Sequence, residues 1–196
     1  MKASFKERLF AYVIDTFIVA LIVSMISVGF STTKIEKLNE EANILANNYI
    51  SGDVSTEEYI TDFVEIYYDI GRAGVINNIV YLVVSVGYFL CFQYLNGGAS
   101  IGKKLMKIRV VSNNKGDVSF LQMFVRTGII NEIIPMFMMI LLVFVSNGFT
   151  FFTCYSIIGF AYNLFIITCI VMILCRKDML ALHDIMSHSM VIKEDI

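Results

Sequence analysis

Four long apolar stretches decide what this chain can fold into. Leu9 to Phe30 carries one charge, Asp15, and Val75 to Leu95 carries none. Thr127 to Val145 carries Glu132 and the only proline, Pro135, and Phe151 to Leu174 is again uncharged. A helix that crosses a bilayer needs about 20 mainly apolar residues, because its backbone must satisfy its own hydrogen bonds across roughly 30 Å of hydrocarbon. All four stretches meet that need. Soluble helices this apolar would have to be buried on every side, and 196 residues cannot bury four of them. Only 16% of the residues are charged, against about 25% in an average soluble domain. The net charge of −2 offers no general basic footprint for nucleic acid. The expected fold is an all-α, multi-pass membrane protein with four transmembrane helices, one membrane domain over 1–196 and the lipid bilayer as its solvent.

Lysine and arginine in the short connections set the orientation. Lys2, Lys6 and Arg8 precede or open the first span, and Arg176, Lys177 and Lys193 follow the fourth. Lys103, Lys104, Lys107, Arg109 and Lys115 lie in the loop 96–126. All three groups fall on one side, which places both termini in the cytoplasm. The segment 31–74 has three basic residues against nine acidic ones and belongs outside.

That outer segment is patterned. Ile35, Leu38, Ala42, Leu45 and Tyr49 recur at gaps of three and four, the signature of one apolar helix stripe. Ser51-Gly52-Asp53 breaks the run, and Ser55 with Glu58 reads as a capping box for a second helix bearing Tyr59, Phe63, Ile66, Tyr67 and Ile70 on one face. The spacing predicts an extracellular helical hairpin between the first two spans. In the inner loop, β-prone residues from Lys107 to Ser112 and at Val118 flank a turn of Asn113, Asn114, Lys115, Gly116 and Asp117. This predicts a short cytoplasmic β-hairpin. Ser119 then caps an interfacial helix from Phe120, which bends at Gly128 into the third span.

Several chemistries lack the residues they need. Gly97 to Lys104 nearly spells a phosphate loop, but a membrane span precedes it and Lys104 stands where a hydroxyl must reach magnesium. His183 and His188 are five apart and do not share a helix face. The four cysteines lie in or at the ends of spans with no paired spacing. No metal site, cofactor or enzymatic activity is expected.

The charges left inside the spans carry the functional question. Asp15 sits about two turns into the first span and Glu132 at similar depth in the third. A carboxylate near mid-span costs on the order of 3 kcal/mol on insertion scales and needs a partner. Arg8, Asp15, Arg126 and Glu132 are expected to form one polar cluster beside Asn131, with Arg126 pairing either carboxylate. Two readings stand open: a cation or proton site with Asp15 as the titrating carboxylate, or an interhelical salt bridge that fixes packing. Pro135 frees a backbone carbonyl close by.

Three blocks together resemble the RDD family of bacterial membrane proteins. Arg8-Leu9-Phe10-Ala11-Tyr12-Val13-Ile14-Asp15 is similar to the family's opening. Gly98-Ala99-Ser100-Ile101-Gly102-Lys103 through Arg109-Val110-Val111 is similar to its Gly-x-Thr-x-Gly-Lys…Arg-Val segment, and Leu182-His183-Asp184 through Val191 to its closing segment. The arginine and two aspartates of the family name fall on Arg8, Asp15 and Asp184. Ser100 stands where threonine is usual, and His188 where a small residue or glycine is expected. The outer hairpin lies outside the family pattern. The resemblance implies a multi-pass protein of the bacterial cell membrane, and some members of the family are linked to cation/proton exchange.

Two functions are expected from all this. One is a small cation/proton antiporter or small-solute transport component, acting on sodium, potassium or protons and forming a homo-oligomer. The other is a non-transporting scaffold or accessory protein that binds a membrane protein partner through the outer hairpin or the basic inner loop.

Overall fold

A computed structural model of the chain describes residues 1–30, 33–114 and 116–194. Ser31, which opens the expected outer segment, and Lys115 of the expected turn lie outside the described residues. Helix α1 (Phe5–Ser27) begins at a reciprocal capping box between Ser4 and Glu7 and runs away from the basic end of the molecule. Its buried residues are Ala11, Asp15 and Val19, one face at a spacing of four. A carboxylate therefore sits in the middle of the stripe that packs inward.

Helices α2 (Thr33–Ser51) and α3 (Thr56–Ala73) form the hairpin between the first two spans. The Ser55 hydroxyl caps α3 by accepting the Glu58 amide at 3.3 Å. An aromatic ladder holds the hairpin down. Tyr49 stacks on Tyr59 at 4.5 Å, and Phe63 and Tyr67 meet Phe152 edge-on at 5.9 and 5.5 Å. The Tyr68 hydroxyl donates to the carbonyls of Val143 and Ser146. The hairpin is thus seated on the ends of later helices rather than hanging free.

The second span descends from Val75 to Leu95. It comprises α4 (Val75–Ser85), a π-helical segment (Val86–Phe92) and one closing turn, α5 (Gln93–Leu95). Helix α6 (Ile101–Leu105) follows after a tight corner and docks against α1. Two glycines make that corner possible. Gly98 has φ +86, and a Cβ there would collide with the Val110 carbonyl. At Gly102 a Cβ would strike the Ala11 carbonyl oxygen and the Asp15 carboxyl group.

Strand β1 (Ile108–Ser112) does not form the expected local hairpin. It pairs antiparallel with β2 (Ser189–Lys193) from the far end of the chain, Val110 opposite Val191. Val118 is one residue and offers no ladder, whereas Ser189–Lys193 supplies five residues and alternate burial. Lys2 bridges to Ile192 on the other edge, so both chain ends join one small sheet. Ala3, Ala11, Ile108, Val110, Met123 and Val191 bury a compact core there.

The expected third span is broken. Helix α7 (Phe120–Ile130), opened by a capping box of Ser119 and Gln122, and α8 (Ile133–Val145) meet at 67°. The bend falls at Asn131 and Glu132 rather than at Gly128, and Glu132 takes a left-handed φ of 58. Pro135 lies in the first turn of α8, where its missing N–H costs no helix bond, so it frees no carbonyl in mid-span. Helix α9 (Gly148–Cys175) returns to the basic end, leading into α10 (Leu182–Met186). Among the described residues three helices are long and apolar enough to cross a membrane, which makes four spans if the bent pair counts as one.

Candidate functional site

The family-motif residues and the buried charges converge at the basic end, where three carboxylates have three different surroundings.

Asp15 is 1% exposed. Its Oδ1 accepts the Tyr88 hydroxyl at 2.6 Å and the Gly102 amide at 2.7 Å. Its Oδ2 accepts the Ser100 hydroxyl. All three donors are neutral, and neither Arg8 nor Arg126 makes an ion pair with it. Each element is shaped for this. The π-helical segment carries Tyr88, Ser100 caps α6, and the bare Cα of Gly102 lets that helix approach α1. Serine serves here as threonine would, since the hydroxyl is the group in use.

Asp184 is fully buried and takes both arginines. Arg8 Nη1 donates to its Oδ2 at 2.8 Å, and Arg126 Nη1 pairs with its Oδ1. The Ala181 amide adds a bond at 3.0 Å, and Arg126 also reaches the Ser189 hydroxyl at 2.9 Å. One carboxylate thereby ties together α1, α7, α10 and β2. Burial alone would raise the Asp184 pKa, but the Arg126 and Arg8 guanidinium groups outweigh it and hold the carboxyl well below the usual range. Arg8 Nη2 is buried with no hydrogen-bond partner among the described residues.

Glu132 stands apart. It makes no ion pair among the described residues and sits at the break between α7 and α8, faced by Tyr12, Tyr81 and Tyr162. The Tyr162 hydroxyl also donates to the Ile130 carbonyl, a group left free by the broken helix.

Arg8, Asp15, Arg126 and Glu132 all line one cavity of about 340 Å³, together with Lys103, Asn131 and His183. The expected cluster therefore exists as a shared wall, but its expected pairing does not. Arg126 answers to Asp184, which the resemblance marked as a motif residue and which was not expected to be its partner. Lys103 Nζ donates to the Gln93 side-chain oxygen at 3.0 Å, and loss of hydration brings its pKa down to about 8. His183 contacts the Cys169 sulfur at 3.4 Å, and burial followed by the charge of Arg126 lowers its pKa to about 3, so it is neutral. Arg109 is outside the site, on β1 near Asp117 and Glu194. Tyr88, Gln93, Ser100 and Ser189 were not anticipated as partners. The one hint was a lone glutamine closing an uncharged span.

Arg8, Asp15 and Asp184, one residue from each end of the chain and one from the first span, are thus all bonded within the same region. A model of the RDD family matches residues 2–188, nearly the whole chain. The chain belongs to the RDD family. No curated protein and no solved structure matches it. His188, where the resemblance suggested a small residue, has φ 47, a conformation that glycine adopts freely.

Proposed function

We propose that this RDD family membrane protein exchanges an alkali cation, sodium or potassium, against protons through the inner cavity, with Glu132 as the carboxylate that receives the cation. The role that the sequence reading gave to Asp15 passes to Glu132. Asp15 is saturated by three donors and Asp184 by two arginines, so binding a cation at either would break the bonds that hold the helices together. The observation that carries the reading is that Glu132 lines the cavity at a helix break, with no cationic partner among the described residues. Broken helices at membrane depth are tolerated where they line a cavity, and they bring free carbonyls to an ion. The basic end faces the cytoplasm by the positive-inside rule, so the cavity opens on that side.

The test is pH-dye quenching in proteoliposomes given sodium, potassium or lithium pulses. The wild-type chain is expected to release protons on addition of one of these ions. Glu132→Gln abolishes the response without loss of folded protein, whereas Asp15→Asn lowers folded yield and flux together. Absence of flux with all three ions would overturn the reading.

A second reading draws on the outer hairpin. Its aromatic face is seated on α9, and Glu40, Glu41, Asp53, Glu57, Glu58, Asp62 and Glu65 are exposed. A rigid acidic platform suits a basic protein partner. Crosslinks from the hairpin to one specific partner, with no cation flux, would favour it.

A further inference from the structure

The cavity that Glu132 lines also holds a lysine. Lys103 lies on its wall and makes no salt bridge among the described residues. Its partner is the side-chain oxygen of Gln93, a neutral group at 0% exposure. Gln93 cannot turn away, because its amide nitrogen donates to the Gly98 carbonyl at 3.2 Å. The chemistry of this pair is unusual for a structural lysine, which would be matched with a carboxylate. An amide oxygen accepts from an ammonium and from a neutral amine alike, so the bond survives when the proton leaves.

Charge balance points the same way. Asp15 on α1, Arg126 on α7, and His183 and Asp184 on α10 are the titratable and charged groups that face Lys103. Three cations (Arg8, Lys103, Arg126) and three carboxylates (Asp15, Asp184, Glu132) make up the site, with His183 neutral. The ionised set sums to zero. A cation arriving at Glu132 adds one uncompensated charge in a poorly hydrated space, and repulsion there favours loss of a proton from the weakest acid–base partner. Arginine keeps its proton throughout. Lysine does not.

We propose that Lys103 is the proton-carrying group of the exchange. Its ammonium releases a proton to water at the cytoplasmic mouth when an alkali cation enters at Glu132, and takes one back when the cation leaves. The N–H bond breaks with its electron pair retained on Nζ, one positive charge leaves as one enters, and the site stays neutral. The two side chains need not touch, because the coupling runs through the charge of the cavity. This rests on Glu132 as the cation site. Desolvation already holds the Lys103 pKa at about 8, within reach of the neutral range.

The test reads the lysine itself. The full chain in liposomes is labelled competitively with acetic anhydride across a pH series, and acetylation of Lys103 is followed by mass spectrometry. In N-methylglucamine chloride the midpoint is expected at about 8 rather than at the ordinary lysine value of 10.5. Sodium or potassium chloride should lower it by about one pH unit, and Glu132→Gln should remove that shift. A midpoint in the ordinary range, or one equal in all three salts, overturns the proposal. Lys103→Arg, which keeps the charge but cannot release the proton, should slow exchange at least about tenfold while melting near the wild type. Unimpaired exchange in that variant overturns it too. The exchange reading fails separately, through absence of wild-type flux, because the labelling midpoint needs no flux to be measured.

Discussion

Two kinds of carboxylate share the basic end of this molecule. Asp15 and Asp184 are closed: their oxygens are held by hydroxyls, backbone amides and guanidinium groups. Glu132 is open, facing tyrosines across a cavity and held in a backbone conformation that glutamate rarely adopts. The closed pair joins segments far apart in sequence and so determines the fold. The open residue makes no ion pair among the described residues, and its neighbours are the tyrosine side chains of Tyr12, Tyr81 and Tyr162. Burial of charge alone does not separate the two kinds. The donors around each carboxylate do.

Removing a closed carboxylate should be far more damaging than removing the open one, and Asp184 gives the largest expected effect. Asp184→Asn leaves Arg8 and Arg126 buried without their counter-ion, which costs about 3–5 kcal/mol. Thermal unfolding in detergent, or the yield of folded protein, measures it. A loss near that of Glu132→Gln would erase the distinction.

Acid should open the closed region next. His183 is neutral and buried against Cys169 and Asp184, with its pKa lowered to about 3. Unfolded, the same side chain protonates near 6.5. Because the folded value is the lower one, the unfolded state takes up the proton first, and stability is lost as pH falls from about 6.5 towards 3. Melting temperature should decline over the upper part of that window in the wild type, and decline less in His183→Gln. Equal slopes would show that His183 is not confined.

Asp15→Asn should fall in between. The Gly102 amide keeps an acceptor, but the charged half of the bonds from Tyr88 and Ser100 is lost, at a cost of about 2 kcal/mol. Melting should drop accordingly, and the α1–α6 contact should loosen, read as faster amide exchange at Gly102. An unchanged melting point would move Asp15 into the open class.

How far these roles were legible follows from the range of each interaction. The spans, the hairpin helices and the Ser119 cap depend on local pattern, so periodicity and capping chemistry displayed them. The partner of β1 lies some 80 residues on, at Ser189–Lys193. A five-residue strand with no turn beside it carries no local sign of its mate. Arg126 was placed in the right cavity but assigned the wrong ion pair, because helix depth alone cannot rank Asp15, Glu132 and Asp184 as partners. The choice depended on the 67° break, which turns α7 towards α10. Pro135 drew attention to the right neighbourhood and the wrong residue, since a proline in a first turn stops nothing.

The smallest effect on stability is expected at Glu132, and it is the sharpest test of the comparison. No ion pair among the described residues is lost in Glu132→Gln, so the free energy of unfolding should stay within about 0.5 kcal/mol of the wild type. The backbone supplies a second measure. At φ 58 a glutamate is strained, while asparagine tolerates the left-handed region through its short polar side chain. Glu132→Asn should therefore melt at or slightly above the wild type although it removes the carboxylate. Backbone strain of this kind clusters at working sites. If Glu132→Gln instead cost about 2 kcal/mol, the carboxylate would be holding the bend together, and Glu132 would join Asp15 and Asp184 among the residues that build the fold.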